Sequence, residues 1–151
     1  MTELQMVQAD MVIYKLRIDK MIDEGKDLNS YAFKYVDQIN SMFKKFQGQE
    51  LIFTFAHVLN LLESGFAVAR RDWVDKEQFL YYVPDAKYPA ITDIAKAISD
   101  SDGNVTYGAY LAFKTSQGKV TTWEPSISDI TSDWVAVKVN PYKVITDVYE
   151  F

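Results

Sequence analysis

The sequence contains no cysteine, and its only histidine is His57. Without thiols the chain forms no disulfide and no thiolate metal site, and it offers no cysteine nucleophile. One histidine does not complete a zinc site of the usual type, and a lone histidine in a short helix is more often structural than catalytic. We therefore predict a protein with neither a metal nor a cofactor.

Glycine is also scarce, and the six glycines stand isolated from one another, so the chain has no glycine-rich phosphate loop. It lacks the nucleophile-elbow motif that would partner His57 in a serine hydrolase. Hydrolysis of a phosphodiester usually needs a metal cluster or a histidine base, and the scattered carboxylates supply neither. These absences favour a protein that binds its target without turnover, and we predict that it is not an enzyme.

Long apolar runs are absent too: none approaches the roughly 18 residues that a membrane-spanning helix needs, and the first ten residues lack the layout of a signal peptide. The 16 basic residues are outnumbered by 21 acidic ones, which gives a net charge of -5. This balance opposes general attraction to nucleic acid and to anionic membranes. We expect a soluble globular protein that meets an anionic ligand in a local basic pocket.

The chain begins with the pattern of two amphipathic helices. Apolar residues recur at intervals of three and four from Leu4 to Met21 and from Ala32 to Phe46, and glycines at 25 and 48 follow the two runs. This predicts a helical hairpin over residues 1–48 with an accessory or oligomerising role. Two helices cannot bury such stripes between themselves, so the stripes cover the chain's own sheet or meet another copy.

The segment 51–140 has the pattern of an α+β domain. A helix capped by Thr54 precedes strands at 66–70 and 78–83, a central hairpin at 107–123, one helical turn after Ser126 and a strand at 134–139. The weaker segment at 85–106 we interpret as an insertion with a short helix starting near Pro89. The predicted fold is α+β: an antiparallel sheet of about five strands with one packed helix, preceded by the helical hairpin. The tail, 141–151, adds an edge strand or a cover.

Aromatic and basic residues fall at the predicted strand ends and turns. Rings placed there can stack on nucleobases, which is worth about 1–3 kcal/mol per base, and Arg or Lys can donate to phosphate or ribose oxygens. The candidate ligand-binding residues are Arg70, Arg71, Trp73, Tyr107, Tyr110, Lys114, Trp123, Ser126 and Asp129. The alternative for the tryptophans is a place in the core, and the alternative for Asp129 is to cap the helical turn that begins at Ser126.

The residues from Phe55 through Val139 also carry a resemblance to a known family. The motifs are the helix pattern Phe-x-x-x-Leu-x-x-Leu-x-x-Gly, Arg70-Arg71-Asp72-Trp73, Phe79-Leu-Tyr-Tyr-Val-Pro84, Lys114-Thr115, Gln117-Gly118, Trp123, Ser126, Asp129 and Asp133-Trp134. In these motifs the chain resembles the second Thoeris anti-defence family of phages and prophages. About 85 residues take part in the resemblance.

The resemblance implies a sponge protein that acts in the cytoplasm of the infected bacterial host. Such a protein is a homo-oligomer, tetrameric where described, that binds a cyclic ADP-ribose-type signal from TIR-domain defence enzymes and holds it uncleaved. For this chain we expect a dimer or tetramer. Some similar proteins also bind cyclic dinucleotides. The alternative is a phage protein that blocks a host or defence protein by direct binding, with the 1–48 hairpin as its docking element.

Overall fold

The computed structural model describes residues 3–26, 41, 44, 48, 50–139, 146–148 and 150 of the chain. In chain order its elements are α1 (Glu3–Asp23), α2 (Phe55–Glu63), β1 (Ala67–Arg70), β2 (Phe79–Val83), β3 (Ala86–Pro89), α3 (Asp93–Ile98), β4 (Asn104–Tyr107), β5 (Tyr110–Lys114), β6 (Val120–Thr122), α4 (Ile127–Thr131), β7 (Trp134–Val139) and β8 (Thr146–Val148). None of these helices has the length and hydropathy of a membrane-spanning segment.

Six strands form one antiparallel sheet in the order β6-β5-β2-β1-β7-β8, and β3 pairs with β4 in a separate antiparallel ribbon. Val68 in β1 lies opposite Leu80 of β2 and Ala136 of β7, which fixes the register on both sides. The predicted α+β class and antiparallel sheet are confirmed. Strand β8 adds the edge strand that was one of the two possibilities for the tail.

One face of this sheet packs on α2 and α1 around a common core. The core residues are Val12, Ile13, Leu51, Phe53, Val58, Leu61, Leu62, Phe66, Val68, Leu80, Trp134 and Ala136. Helix α1 therefore shares a core with the sheet. The stripe predicted for α1, which includes Tyr14 and Ile18, is correct at Ile18, which is buried, and wrong at Tyr14, which is 45 % exposed. Val12 and Ile13 are buried although they lie outside that stripe, because α1 carries apolar residues on more than one side.

The second helix of the predicted hairpin, from Ala32 to Phe46, lies almost wholly outside the described residues. Ser41 and Lys44 belong to that range and are helical. The division of the chain into units at 1–48, 51–140 and 141–151 stays a prediction.

Helix α2 begins and ends where the sequence predicts. Thr54 precedes it, and the Thr54 backbone N–H donates to Nδ1 of His57 at 3.3 Å, which satisfies a backbone donor at the helix start. Gly65 follows its end with a φ of +85°, a conformation that side-chain-bearing residues adopt only with strain. The backbone N–H of Phe66 then closes the helix by donating to the carbonyl of Leu61 at 3.0 Å.

The segment 85–106 is more regular than its sequence suggests. It holds α3 and all of the β3–β4 ribbon except Tyr107. Helix α3 starts at Asp93 because the Thr92 hydroxyl accepts from the Ala95 N–H at 3.1 Å. The predicted start of this helix near Pro89 was four residues early. The predicted central strand beginning at Tyr107 was also wrong at its start, since Tyr107 ends β4 and β5 begins at Tyr110.

The second face of the sheet has small buried residues, with the larger ring of Phe79 packed against them. Ala67, Ala69, Val135 and Val137 are buried there and pack with Phe79. Successive side chains of a strand point to opposite faces, so this set alternates with the core residues of the same strands. The resulting depression meets the end of α1, and it forms one of the two pockets described below.

Candidate functional site

Arg70, at the end of β1, connects two carboxylates. Its Nε and Nη2 donate to the two oxygens of Asp72 at 2.9 and 2.6 Å, and its Nη1 donates to Asp129 at 2.9 Å. Bidentate pairs of this kind are among the stronger protein hydrogen bonds. The Arg70 guanidinium is thus engaged within the chain, where it ties the turn after β1 to helix α4.

Asp129 lies inside α4 and is only 8 % exposed. Its Oδ2 accepts from the backbone N–H and the hydroxyl of Ser126 at 2.8 and 2.9 Å, while the Ser126 hydroxyl accepts from the Asp129 N–H at 3.2 Å. This reciprocal pair is a capping box. The capping alternative for Asp129 is therefore confirmed, and contact of Ser126 or Asp129 with a ligand stays a prediction.

The same contacts set the charge of the Asp129 carboxyl. Burial favours its neutral form and would raise the pKa, but hydrogen bonds from the Ser126 backbone, from Arg70 and from the Ser126 hydroxyl lower it further than burial raises it. The net result is a pKa of Asp129 below its ordinary value. The hydrogen bond from Arg70 likewise lowers the pKa of Asp72.

Trp73 and Trp123 surround Trp134, which is fully buried. Edge-on contacts join the ring of Trp134 to those of Trp73 and Trp123, with centroids 5.7 and 6.0 Å apart. Trp73 also meets Phe113 at 5.5 Å, and Trp123 meets Phe55 at 6.5 Å. The core interpretation is confirmed for Trp134, while Trp73 and Trp123 are half-buried and keep part of their surface exposed.

Arg71 borders a polar pocket of about 470 Å³ that is lined by Arg71, Asp72, Thr131, Ser132 and Asp133. Its Nε and Nη2 donate to the carboxylate of Glu50 at 3.0 and 2.9 Å, and its Nη1 lies 3.9 Å from Asp133. A bound anion would have to compete with Glu50 for this guanidinium. We call this cavity the polar pocket.

Lys114 borders a different cavity, of about 720 Å³, on the sheet face opposite α2. This sheet-face pocket is lined by Asp19, Lys20, Asp23, Gly65, Phe66, Ala67, Phe79, Tyr81, Lys114, Val137 and Val139. Its volume lies within the range of about 300–1,000 Å³ that is typical of small-molecule sites. Apolar and aromatic side chains form its floor, and charged side chains stand at its rim.

The two ammonium groups at that rim rest on backbone carbonyls and aromatic rings. Lys114 Nζ donates to the carbonyl of Glu77 at 2.9 Å and lies 5.5 Å from the centre of the Phe79 ring. Lys20 Nζ donates to two backbone carbonyls and lies 5.3 Å from the centre of the Phe66 ring. Within the described part of the chain, neither ammonium has a carboxylate oxygen within 4 Å. Both keep donors for an anion.

The two predicted tyrosines line neither pocket. Tyr107 ends the ribbon strand β4 and meets Tyr88 edge-on at 5.8 Å, and Tyr110 opens β5 opposite Val83. Both rings are partly exposed. Within a single chain, these tyrosines belong neither to the network of Arg70 nor to the sheet-face pocket beside Lys114.

The nine predicted residues therefore fall into separate groups. Ser126 and Asp129 join Arg70 in one network, Trp73 and Trp123 flank Trp134, and the remaining four lie elsewhere. Sequence reasoning missed Lys20 and Tyr81 in the sheet-face pocket. Strand alternation could have placed Tyr81 beside Phe79, but no local signal points to Lys20, which reaches its partners across 44 and 45 residues of chain.

His57 has the structural role that its sequence context favours. It is 6 % exposed, its Nδ1 lies 2.9 Å from the Thr54 hydroxyl, and its Nε2 lies 3.4 Å from Asp10 of α1. Across the described ranges, no group of three His, Asp or Glu side chains is arranged to hold a metal ion.

Comparison with known families finds a similar domain. A model of the Thoeris anti-defense 2-like domain matches residues 53–137, which is more than half of the chain and includes the 85–106 segment. No protein with a curated description matched the sequence. Helix α1 lies outside the matched range. The chain belongs to the Thoeris anti-defense 2-like family, and its role is anti-defence against Thoeris.

Proposed function

We propose that the protein counters Thoeris by capturing a nucleotide immune signal of the cyclic ADP-ribose type, or a cyclic dinucleotide, and holding it without cleavage. The observation that carries this proposal is the sheet-face pocket in a chain of an anti-defence family: it combines an aromatic floor with two ammonium groups that have no carboxylate oxygen within 4 Å among the described residues. The cytoplasm of the infected bacterial host, where such signals are made, is the proposed place of action.

The lining of this pocket matches the three parts of a nucleotide. Phe79 and Tyr81 offer rings for a base, and stacking of this kind contributes about 1–3 kcal/mol. Lys20 and Lys114 offer charged donors to phosphate oxygens, and the carboxylates of Asp19 and Asp23 can accept from ribose hydroxyls.

Retention without cleavage is supported by the chemistry of the same lining. Its ionisable groups are the two lysines, the two aspartates and the phenol of Tyr81. None of these groups is a histidine, and Asp19 forms an ion pair with Lys15 at 2.7 Å. Hydrolysis of a phosphodiester usually needs a metal cluster or a histidine base, and the described residues hold no group of three His, Asp or Glu side chains arranged for a metal ion. Slow release, which stacking and buried contacts provide, is what sequestration requires.

Self-association is the second part of the proposal. Arg71, Tyr107 and Tyr110 are exposed and lie outside the sheet-face pocket. We propose that a neighbouring copy of the chain brings these residues to a ligand in that pocket. A dimer or tetramer would then be required for the complete site.

The proposal is tested by calorimetric titration of the purified protein with cyclic ADP-ribose isomers and cyclic dinucleotides. We expect heat of binding with at least one of them. The complex is then denatured by heat, and the released compound is analysed by chromatography. Recovery of the intact compound supports capture, recovery of a hydrolysed product indicates an enzyme, and the absence of binding heat with all probes rejects the proposal.

A second candidate function is the blocking of a defence protein by direct contact. It is favoured by three isoleucines on and beside α3, Ile91, Ile94 and Ile98, which are 84, 78 and 70 % exposed. The docking element first considered was the 1–48 hairpin, but Val12 and Ile13 of α1 are used in the chain's own core. Ile94→Asp should abolish Thoeris inhibition and leave nucleotide binding unchanged if this candidate is correct.

A further inference from the structure

We infer that helix α1, which lies outside the family domain, builds one wall of the sheet-face pocket, and that Lys20 on it determines binding of phosphate-bearing ligands. This inference rests on the proposed function, since it concerns the same pocket. Asp19, Lys20 and Asp23 all line the cavity, whereas the family match begins at residue 53.

The position of the Lys20 ammonium is fixed by the end of α2. Its Nζ donates to the carbonyls of Ser64 and Gly65 at 3.1 and 3.2 Å, where the partial negative charge of a helix C-terminus favours a cation. An ammonium has three N–H donors. Two are used in these bonds, so one remains for an oxygen of a ligand in the pocket.

Gly65 allows this approach. A Cβ at this position would collide with Lys20 Nζ, and the backbone φ of +85° is itself unfavourable for a residue with a side chain. Glycine at position 65 therefore has two roles: it adopts the backbone conformation that ends α2, and it leaves space for the Lys20 ammonium. Replacing it would displace the charge from the rim without removing it from the protein.

The rest of α1 is held independently of any ligand. Arg17 donates to the hydroxyl of Ser64 at 2.6 Å and to the side-chain oxygen of Asn60, and Val12 and Ile13 are buried in the core. The wall formed by α1 is thus in place before a ligand arrives. Pre-organisation of this kind lowers the entropy that binding must otherwise overcome.

These contacts define the class of ligand. A planar aromatic group fits against Phe79 and Tyr81, a phosphate fits beside Lys20 and Lys114, and hydroxyls fit beside Asp19 and Asp23. A nucleoside without phosphate would use the rings and carboxylates but not the ammonium groups. The two lysines should therefore discriminate between phosphorylated and unphosphorylated ligands.

The test compares cyclic ADP-ribose with adenosine by calorimetry on the wild-type chain and on Lys20→Gln, with Lys96→Gln as a matched control on the exposed surface of α3. We expect Lys20→Gln to raise the Kd for cyclic ADP-ribose by on the order of tenfold, as loss of a charge-assisted contact predicts. Adenosine binding should change less than twofold. Lys96→Gln should change neither.

A second variant, Gly65→Ala, controls for the change in net charge that Lys20→Gln causes. It should also raise the Kd for cyclic ADP-ribose while the protein keeps its net charge, and thermal unfolding monitors its stability. Equal affinities for cyclic ADP-ribose in wild type and Lys20→Gln overturn the inference and leave the proposed function standing. If the wild type binds neither cyclic ADP-ribose nor cyclic dinucleotides, the inference and the proposed function both fall.

Discussion

The indole Nε1 of Trp134 donates a hydrogen bond to the backbone carbonyl of Asp129 at 2.8 Å. The first residue of β7, fully buried, is thereby joined to the residue whose carboxylate receives Arg70. One short helix connects the core of the protein to the charged turn after β1.

Asp129→Ala should destabilise the protein. It removes the capping box with Ser126 and leaves part of the Arg70 guanidinium without its partner, which together cost about 1–3 kcal/mol. Urea unfolding measures the loss. The control is Asp133→Ala, whose carboxylate is 60 % exposed and lies 3.9 Å from Arg71, because exposed pairs contribute about 0–1 kcal/mol. Equal losses for the two variants would show that the Asp129 network adds no stability.

Stability should fall in acid, in part because of Asp129 and Asp72. Both carboxyls have a pKa in the folded protein below their ordinary value of 3.8. A lowered folded-state pKa contributes stability that is fully present above the unfolded value and is lost as the pH falls through the folded one. Urea unfolding at pH 7 and pH 3 should show a smaller difference between wild type and Asp129→Ala at pH 3. A difference that is equal or larger at pH 3 contradicts this.

Trp123→Ala should lower stability and ligand binding together. The ring of Trp123 packs on Trp134 and Phe55, and truncation of a partly buried tryptophan costs roughly 2–4 kcal/mol. Trp123→Phe, which keeps an aromatic ring, should recover most of both properties. Circular dichroism and calorimetry with cyclic ADP-ribose provide the two readouts. A Trp123→Ala variant that is fully folded but does not bind would instead identify Trp123 as a stacking wall for the ligand.

Lys114→Gln and Arg71→Ala distinguish the two pockets. Lys114 borders the sheet-face pocket and forms no ion pair with a carboxylate of the described residues, whereas Arg71 borders the polar pocket and is held by Glu50. We expect Lys114→Gln to weaken cyclic ADP-ribose binding by on the order of 1.5–3 kcal/mol, the value of a charge-assisted hydrogen bond. Arg71→Ala should weaken binding less. The reverse order in calorimetry would place the ligand in the polar pocket or at a contact that Arg71 makes with another copy.

The protein should be a dimer or tetramer in solution. The apolar stripe that the sequence predicts from Ala32 to Phe46 and the three exposed isoleucines at α3 supply surface for such contacts. Light scattering at micromolar concentration should give a mass that is two or four times 17.4 kDa. A single species of 17.4 kDa would reject self-association and any role for residues of a second copy in the site.

The elements of the sheet were more predictable than the site because strand and helix signals are local. Most predicted helix and strand boundaries lie within two residues of the observed ones. They were placed by the alternation of apolar residues, by the Thr54 and Ser126 caps and by the glycine at 65. The ribbon at 85–106 was missed because its strands are short and largely exposed, so they lack the apolar alternation of a buried strand. Lys20 was missed for another reason, since its contacts depend on how α1 docks against α2, and no pattern within α1 encodes that.

Arg70 and Trp123 show the same limit when ligand-binding residues are predicted from sequence. Their types and positions fit a nucleotide site, and that fit is real at the level of sequence. In the folded chain, the Arg70 guanidinium is engaged by Asp72 and Asp129, and the ring of Trp123 packs against that of Trp134. The sequence specifies which hydrogen-bond donors and aromatic rings are present. Packing determines which of them already have a partner within the chain.

The β3–α3–β4 excursion leaves the sheet after Val83 and returns at Tyr110, and these two residues are cross-strand partners of β2 and β5. The β3–α3–β4 segment, which we call the arm, therefore begins and ends at adjacent positions in the sheet. A tight two-residue turn could bridge the same gap, because antiparallel neighbours are commonly joined in that way. Because its two ends are adjacent, shortening or exchanging the arm should leave the hydrogen bonds between β2 and β5 in place, so its exposed isoleucines can be altered without altering the sheet.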